Sequence, residues 1–265
     1  MLTLCMVACV SAPSSDAPDA DADTDADTDA DTDADTDTDS DVDAPYSAFI
    51  LSQLLTVAAV GAPDLYEETL VRFDETPADA CPARVDRGET IALVGDGCVT
   101  DEGTTVWSGE DVLATLEEAT TITYGLSVAG DFGYRGHELG RQALNLATGE
   151  LLTDLDLDYN NENSTGITLE YVGWTVDYRA WQAWRSGSAA TVVASGTLVS
   201  PVAHDTFSGA LALSHAGSCA AEPDGGTLVL VGTLATLTYT FDGTTACDGQ
   251  VPWSDGYFTG TTDAP

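Results

Sequence analysis

Residues 167–178 read Ile-Thr-Leu-Glu-Tyr-Val-Gly-Trp-Thr-Val-Asp-Tyr, a run in which β-branched and aromatic residues predominate. Such residues suit the pleated, half-buried surface of a strand. Similar runs recur after Arg72, separated by turn residues such as those at 95–97 and 242–243. Because convincing helical patterns are missing between them, parallel βαβ winding is disfavoured. The sequence therefore predicts a mainly β fold, an antiparallel meander closing into a sandwich or barrel.

One helix is predicted ahead of this β-rich body. Apolar residues recur near helical spacing from Tyr46 onward, and Gly61 with Pro63 is expected to end the run, which places the helix at about 46–60. A second short helical stretch fits residues 64–71, and a helical turn or two fits 111–119. The first helix is too short to span a bilayer, so we expect it to pack against the sheet.

Residues 16–43 consist almost wholly of an Asp-Ala-Asp-Thr repeat. The repeat offers little apolar surface to offset the roughly 1–2 kcal/mol per residue that is lost when a backbone becomes ordered, and its aspartates repel one another. We therefore predict a disordered acidic linker over residues 10–44, followed by a single β-rich domain over residues 45–265.

The charge balance excludes one class of partner. The chain has a formal net charge of −38, and 31 of its 45 acidic residues lie outside the repeat, against seven arginines and no lysine. Such a surface repels phosphate backbones, so we expect no nucleic-acid binding. The same balance disfavours adhesion to anionic membrane surfaces.

The cysteines of the body predict disulfides. None of the six cysteines forms a C-x-x-C pair and no histidine stands at zinc spacing from them, which disfavours a metal cage. Of the three pairings open to the four body cysteines, sequence order favours Cys81–Cys98 and Cys219–Cys247. Each disulfide is expected to contribute roughly 3 kcal/mol.

Residues 1–9 are an apolar stretch with a small residue directly before Cys9. With the acidic repeat, they resemble the front of the acidic-repeat lipoproteins, mostly uncharacterised, of myxobacteria and related bacteria. The resemblance covers residues 1–45 only. It implies a signal that ends at a lipidated Cys9 and, since no Asp follows at Val10 or Ser11, location at the outer membrane or cell surface. A start of translation further upstream would explain why no basic segment precedes the apolar stretch.

A lipid at Cys9 would give the acidic linker a role as a tether. Residues 10–44 reach at most about 120 Å when fully extended, and self-repulsion favours the extended end of that range. The body would then be held clear of the lipid surface.

Asp154, Asp156 and Asp158 are candidate metal ligands. Alternation along a strand places the three carboxylates on one face, where a cation such as Ca²⁺ would relieve their repulsion. A regular strand spreads its ligands, however, and the glycine and glutamate of a calcium loop are misplaced here. A solvated strand edge is the alternative, and no other cofactor is predicted.

Tyr171, Trp181 and Trp184 are candidate ligand-binding residues. They belong to a row of five aromatic residues between 171 and 184, in which the other two share strand parity with valines and so belong to a core face. Exposed rings could stack on sugars, whereas core or rim packing is the alternative for the whole row.

Catalytic motifs give no support for an enzyme, although a carboxylate pair of the glycosidase type would leave no sequence signature in so acidic a chain. His215 lies near Ser218, but neighbouring residues of a strand point to opposite faces. The sequence thus favours a non-catalytic, lipid-anchored cell-surface protein with a binding or structural role, directed at polysaccharide or protein. The alternatives are a secreted carbohydrate-active hydrolase and a calcium-stabilised adhesion module.

Overall fold

Fifteen antiparallel strands form one sheet in the computed structural model, which describes residues 46–100, 103–130, 135–161 and 164–265. The segment predicted as signal, lipidation site and linker lies outside the described residues. The strands are β1 (Ala83–Asp86), β2 (Thr90–Val94), β3 (Cys98–Thr100), β4 (Thr105–Thr115), β5 (Ala119–Tyr124), β6 (Leu126–Ala129), β7 (Arg135–Asn145), β8 (Glu150–Asn161), β9 (Ser164–Asp177), β10 (Ala190–Ser200), β11 (Asp205–His215), β12 (Gly225–Val231), β13 (Thr236–Phe241), β14 (Gln250–Ser254) and β15 (Thr259–Asp263).

The strand order follows the chain closely, from β1 at one end of the sheet to β15 at the other. Only the short strands β3 and β6 leave this path, β3 pairing with β4, and β6 pairing with β4 and β7. Successive strands joined by short turns are the pattern that the sequence predicts, so the antiparallel meander with an N-terminal helix is confirmed.

The N-terminal helix is longer than the sequence predicts. Helix α1 (Ala48–Thr56) continues through a π-helical turn (Val57–Gly61) into α2 (Ala62–Glu75) without a break. Pro63 lies in the first turn of α2, where its missing N–H is tolerated. The expectation that Gly61 and Pro63 end the helix is therefore wrong, because the wider turn that precedes the proline absorbs the irregularity.

Three strands donate hydrogen bonds to carbonyls of this helix. Tyr239 on β13 donates to the Leu51 carbonyl at 2.8 Å, Tyr171 on β9 to the Val57 carbonyl at 3.1 Å, and Gln142 on β7 to the Ala62 carbonyl at 2.8 Å. Since α2 also contacts β2 and α1 contacts β15, strands from both ends of the sheet meet one helix. The sheet therefore curves around it.

The helix supplies the centre of the hydrophobic core. Its buried residues include Leu51, Leu54, Leu55, Tyr66 and Phe73. By length and composition alone, Ala48–Glu75 is also the one candidate membrane span among the described residues. A buried core helix meets the same criterion, and here the strands cover most of the apolar side chains, with Phe49 and Val71 left exposed.

Burial alternates along the strands as a two-sided sheet requires. In β11 every second residue from Asp205 to Leu213 is buried and the residues between are exposed. Phe207 and Leu211 therefore face the helix, whereas Thr206 and Ser208 face solvent. Residues 111–119, where the sequence allows a helical turn, lie instead in β4 and the turn into β5.

A third helix, α3 (Tyr178–Arg185), follows β9 at a place where the sequence predicts no helix. The Asp177 side chain caps it by accepting a hydrogen bond from the Ala180 N–H at 3.3 Å. The helix lies between β9 and β10 and buries Tyr178 and Trp181.

Both predicted disulfides are confirmed. Cys81 pairs with Cys98 and Cys219 pairs with Cys247. The first joins the segment before β1 to β3, and the second joins the connections that follow β11 and β13. Two disulfides are compatible with an extracellular or secreted protein.

Candidate functional site

An open pocket of about 500 Å³ lies where α2 and α3 meet the connection after β11. Its polar and aromatic lining comes from Asp64 on α2, from Trp181, Trp184 and Arg185 on α3, and from His215 at the end of β11. We call it the Trp184 pocket. Backbone of Gly187 and Gly217 and the Cys219 disulfide complete its wall. The pocket therefore combines indole rings with groups of both charges.

Arg185 holds together the acidic side of the pocket. Its guanidinium lies 3.3 Å from Asp64 Oδ1 and forms a second ion pair with Glu67. Burial, opposed by the Arg185 charge, raises the pKa of Asp64 to about 6. The Arg185 guanidinium also lies 6.0 Å from the centre of the Trp181 ring. A carboxyl group that titrates near neutrality thus stands beside an aromatic wall.

The three candidate ligand-binding rings differ in exposure. Trp181 is only 1% exposed, and Tyr171 is buried with its hydroxyl on the Val57 carbonyl, so it does not line the pocket. Trp184 is partly buried, and its ring centre lies 4.6 Å from that of Trp181. Of the three, Trp184 therefore offers the accessible ring, and Trp181 supports it from behind.

His215 contributes a second polar edge. Its Nδ1 lies 3.4 Å from Asp224 Oδ2, and Asp224 also accepts hydrogen bonds from the Ala216 and Gly217 N–H groups and from the Ser218 hydroxyl. Among the hydrogen bonds of the described residues, none joins Ser218 to His215. A Ser-His-Asp triad needs the imidazole between serine and carboxylate, so this arrangement orders a loop and activates no nucleophile.

The three aspartates proposed as metal ligands do not converge on one point. Asp154 accepts a hydrogen bond from the Gly173 N–H, Asp156 lies 3.6 Å from His137, and Asp158 accepts one from the Thr168 hydroxyl at 2.9 Å. Within the described ranges, no group of three or more His, Cys, Asp and Glu side chains is placed to hold a metal ion. Each carboxylate has its own partner along the outer face of β8.

Two buried carboxylates form a separate cluster on the inner face of the sheet. Arg72 on α2 lies 2.8 Å from Glu138 and 3.7 Å from Asp111, and Tyr159 also hydrogen-bonds to Glu138. Asp111 is fully buried and accepts from two backbone N–H groups. Burial, and next the Glu138 charge, raise the pKa of Asp111 to about 6.

This cluster serves to hold α2 against β4 and β7. Neither the Trp184 pocket nor a second recess of about 480 Å³ between β2 and β4 is lined by Asp111 or Glu138. A substrate therefore has no access to the pair through either opening. The Trp184 pocket remains the better candidate for a functional site.

Sequence reasoning missed Asp64, Arg185 and His215 as members of one site. Asp64 and Arg185 are separated by 121 residues, and no motif connects them. No family model matches the chain, and no curated protein or solved structure matches it either. The geometry of the Trp184 pocket is thus the available guide to function.

Proposed function

We propose that this chain is a non-catalytic cell-surface protein, anchored through a lipid on Cys9, that binds carbohydrate in the Trp184 pocket. The observation that carries the proposal is the combination, in one open pocket, of a partly exposed indole with a fixed arginine–carboxylate pair. Sugars present an apolar C–H face and hydroxyl groups around their edge. An aromatic ring matches the first, and charged hydrogen-bonding groups match the second.

The hydrogen bonds around His215 favour binding over catalysis by a serine nucleophile. Ser218 donates to Asp224 and not to His215 in the part of the chain that the structure describes. Arg185 neutralises the acidic side of the pocket and is itself held by two carboxylates. A site whose polar groups are already fixed can bind a rigid ligand at low cost in conformational entropy.

The test is a titration of the purified protein with a panel of soluble polysaccharides, in which binding is detected by tryptophan fluorescence and by calorimetry. We expect saturable binding that Trp184→Ala abolishes. Trp107→Phe is the matched control, because Trp107 is a partly buried indole on β4 whose N–H is bonded to Thr100. An absence of heat and of fluorescence change across the panel would refute carbohydrate binding.

The anchor is tested separately from the pocket. Mass spectrometry of native material should find an acyl group on Cys9 as the first residue of the mature chain, and Cys9→Ser should release the protein from the membrane fraction. Unmodified Cys9 would remove the anchor from the proposal and leave the binding site untouched.

A carbohydrate-active hydrolase is the second candidate, favoured by Asp64. A carboxyl group with a pKa of about 6 in a pocket has the property of a general acid, and Glu67 shares Arg185 with it. A hydrolase would release reducing sugar ends, and Asp64→Asn would stop that release without preventing binding. If a polysaccharide binds to the wild-type protein and remains uncut, the non-catalytic function stands.

A further inference from the structure

Three neighbouring hairpin turns lie together at one end of the sheet. They comprise residues 201–204 between β10 and β11, residues 232–235 between β12 and β13, and residues 255–258 between β14 and β15. The antiparallel register pairs Ser208 with Val231 and Thr238 with Ser254. These pairings place all three turns at the same edge of the molecule, whereas the Trp184 pocket lies where β11 ends.

Two of these turns are fixed by buried aspartates. Asp205 accepts hydrogen bonds from the Thr233 N–H and hydroxyl at 2.9 and 2.6 Å and from the Leu234 N–H at 3.3 Å. Asp255 accepts from the N–H groups of Tyr257 and Phe258 at 2.8 and 2.7 Å. Both carboxylates are buried. The turns are therefore ordered, and their negative charges point inward.

Several side chains that these turns present to solvent are large and apolar, beside the exposed His204 and Thr233. Tyr257 is 89% exposed and Leu234 is 61% exposed, and Phe258 is also exposed. The Tyr46 hydroxyl donates to Asp205 at 2.5 Å, which brings the start of α1, with the exposed Phe49, to this end. We call Phe49, Leu234, Tyr257 and Phe258 the apolar tip.

Among the described residues, the apolar tip is also free of exposed carboxylates, whereas the chain as a whole is acidic. The net charge of the chain is −38, yet the turns at 201–204, 232–235 and 255–258 contain no carboxylate other than the buried Asp255. A surface without exposed charge, bearing Leu, Phe and Tyr, has the composition that lies favourably at the headgroup level of a bilayer. A lipid surface is thus the occupant that fits both its chemistry and its charge.

The place where the described body begins supports the same occupant. Tyr46, the first described residue, lies beside the apolar tip through its hydrogen bond to Asp205, so a lipid on Cys9 would keep this end of the molecule within reach of a membrane. We propose that the apolar tip contacts the interface of an uncharged lipid surface. The proposal rests on the lipid anchor of the proposed function for its biological setting. It departs from the expectation that the linker holds the body clear of the membrane, because a flexible linker sets only the greatest distance between body and membrane.

The experiment removes the acyl group so that the tip is measured alone. Full-length Cys9→Ser protein is mixed with phosphatidylcholine vesicles, and the bound fraction is measured by co-sedimentation. We expect binding that weakens when phosphatidylserine is added, because the rest of the surface is acidic. The double variant Leu234→Ser/Tyr257→Ser should bind roughly tenfold more weakly, since two exposed apolar side chains are lost.

Leu116→Ser is the matched control, because Leu116 is a turn leucine with 64% exposure on the connection from β4 to β5. It should leave vesicle binding unchanged, and near-UV circular dichroism should show that all variants are folded. Absence of binding by the parent protein, or equal loss in the control, would overturn the lipid assignment. So would a concentration-dependent dimer that the double variant abolishes, because the tip would then contact a second copy. Since acylation of Cys9 is measured by mass spectrometry, failure of the anchor and failure of the tip are distinguishable.

Discussion

Replacing Gly61 by alanine should destabilise the protein, although the same change stabilises most helices. A Cβ atom at position 61 would lie 2.6 Å from Tyr171 Oη, too close for any real contact, and the next nearest atom, Val57 Cγ1, would lie 3.8 Å away. The clash is thus with the hydroxyl that donates to the Val57 carbonyl at 3.1 Å. Alanine must displace that hydroxyl, which is buried in the core.

The expected magnitude follows from two opposing terms. Loss of the buried hydrogen bond leaves a donor and an acceptor unpaired, at about 1–3 kcal/mol for each unsatisfied group. Alanine in place of glycine in a helix gains about 0.5–1 kcal/mol. We therefore expect Gly61→Ala to lower the free energy of unfolding by about 1–5 kcal/mol.

Gly61→Ala should stabilise the protein, and no longer destabilise it, when the Tyr171 hydroxyl is absent. Tyr171→Phe alone should cost about 1–2 kcal/mol, because the Val57 carbonyl loses its donor. In that background the closest remaining atoms to a Cβ at Gly61 are 3.8 and 3.9 Å away, which is ordinary contact. Gly61→Ala should then raise the free energy of unfolding by about 0.5–1 kcal/mol.

The four proteins of this double-mutant cycle are compared by urea denaturation with the disulfides intact, monitored by far-UV circular dichroism. A single transition with an unchanged m-value is required for the comparison. Equal effects of Gly61→Ala in both backgrounds, or stabilisation by Gly61→Ala in the wild-type background, would refute the contact between the π-helical turn and β9.

Three further predictions concern buried acids and a disulfide. The pKa of Asp111 is about 6 in the folded state, which is above its pKa in the unfolded chain. Ionisation of Asp111 should therefore lower the free energy of unfolding as pH rises from about 4 to about 6. Asp111→Asn should remove this contribution to the pH dependence of the free energy of unfolding, as measured by urea denaturation at a series of pH values. Burial by itself raises the pKa of Asp205, but hydrogen bonds from Thr233 and Tyr46 outweigh it and hold this pKa below its usual range. Asp205→Ala should therefore cost about 2–4 kcal/mol at pH 7. The difference should shrink as pH falls below about 4, because Asp205 takes up a proton in the unfolded wild type there while it keeps its charge in the folded state; a difference independent of pH would contradict this. Cys81→Ala/Cys98→Ala should lower the free energy of unfolding by roughly 3 kcal/mol, as measured by guanidinium denaturation, since it opens a short loop.

The sequence predicts the sheet well because the information is local. In β11 the alternation of buried and exposed residues is visible in the chain itself, and turn residues separate most strands. The pairing of Cys81 with Cys98 follows from their order, since a meander brings sequence neighbours together. Local pattern and tertiary structure agree in these places.

The helices show where local rules fail. Gly61 and Pro63 predict an end to the helix, yet packing against Tyr171 and Gln142 stabilises a π-helical turn that carries the helix past them. Helix α3 had a signal that could have been used. Tyr178 and Trp181 are three residues apart after a potential N-cap at Asp177, which is helical spacing.

The candidate site could not be predicted because its members meet only through the fold. The ion pair between Asp64 and Arg185 joins residues 121 positions apart in the chain. In a sequence with 45 acidic residues, no carboxylate stands out by its neighbours. Burial distinguishes Asp111 from most of the others, and burial is a property of the folded state.

The position of the central helix at the front of the body affects how the chain can be made. The Leu51 carbonyl acquires its donor only when Tyr239 is synthesised, 188 residues later. Until Tyr239 is synthesised, the helix remains an uncovered apolar segment that is long enough to span a bilayer. Biogenesis should therefore depend on a holding chaperone, and products that stop before the final hairpin should be the ones that proteases remove.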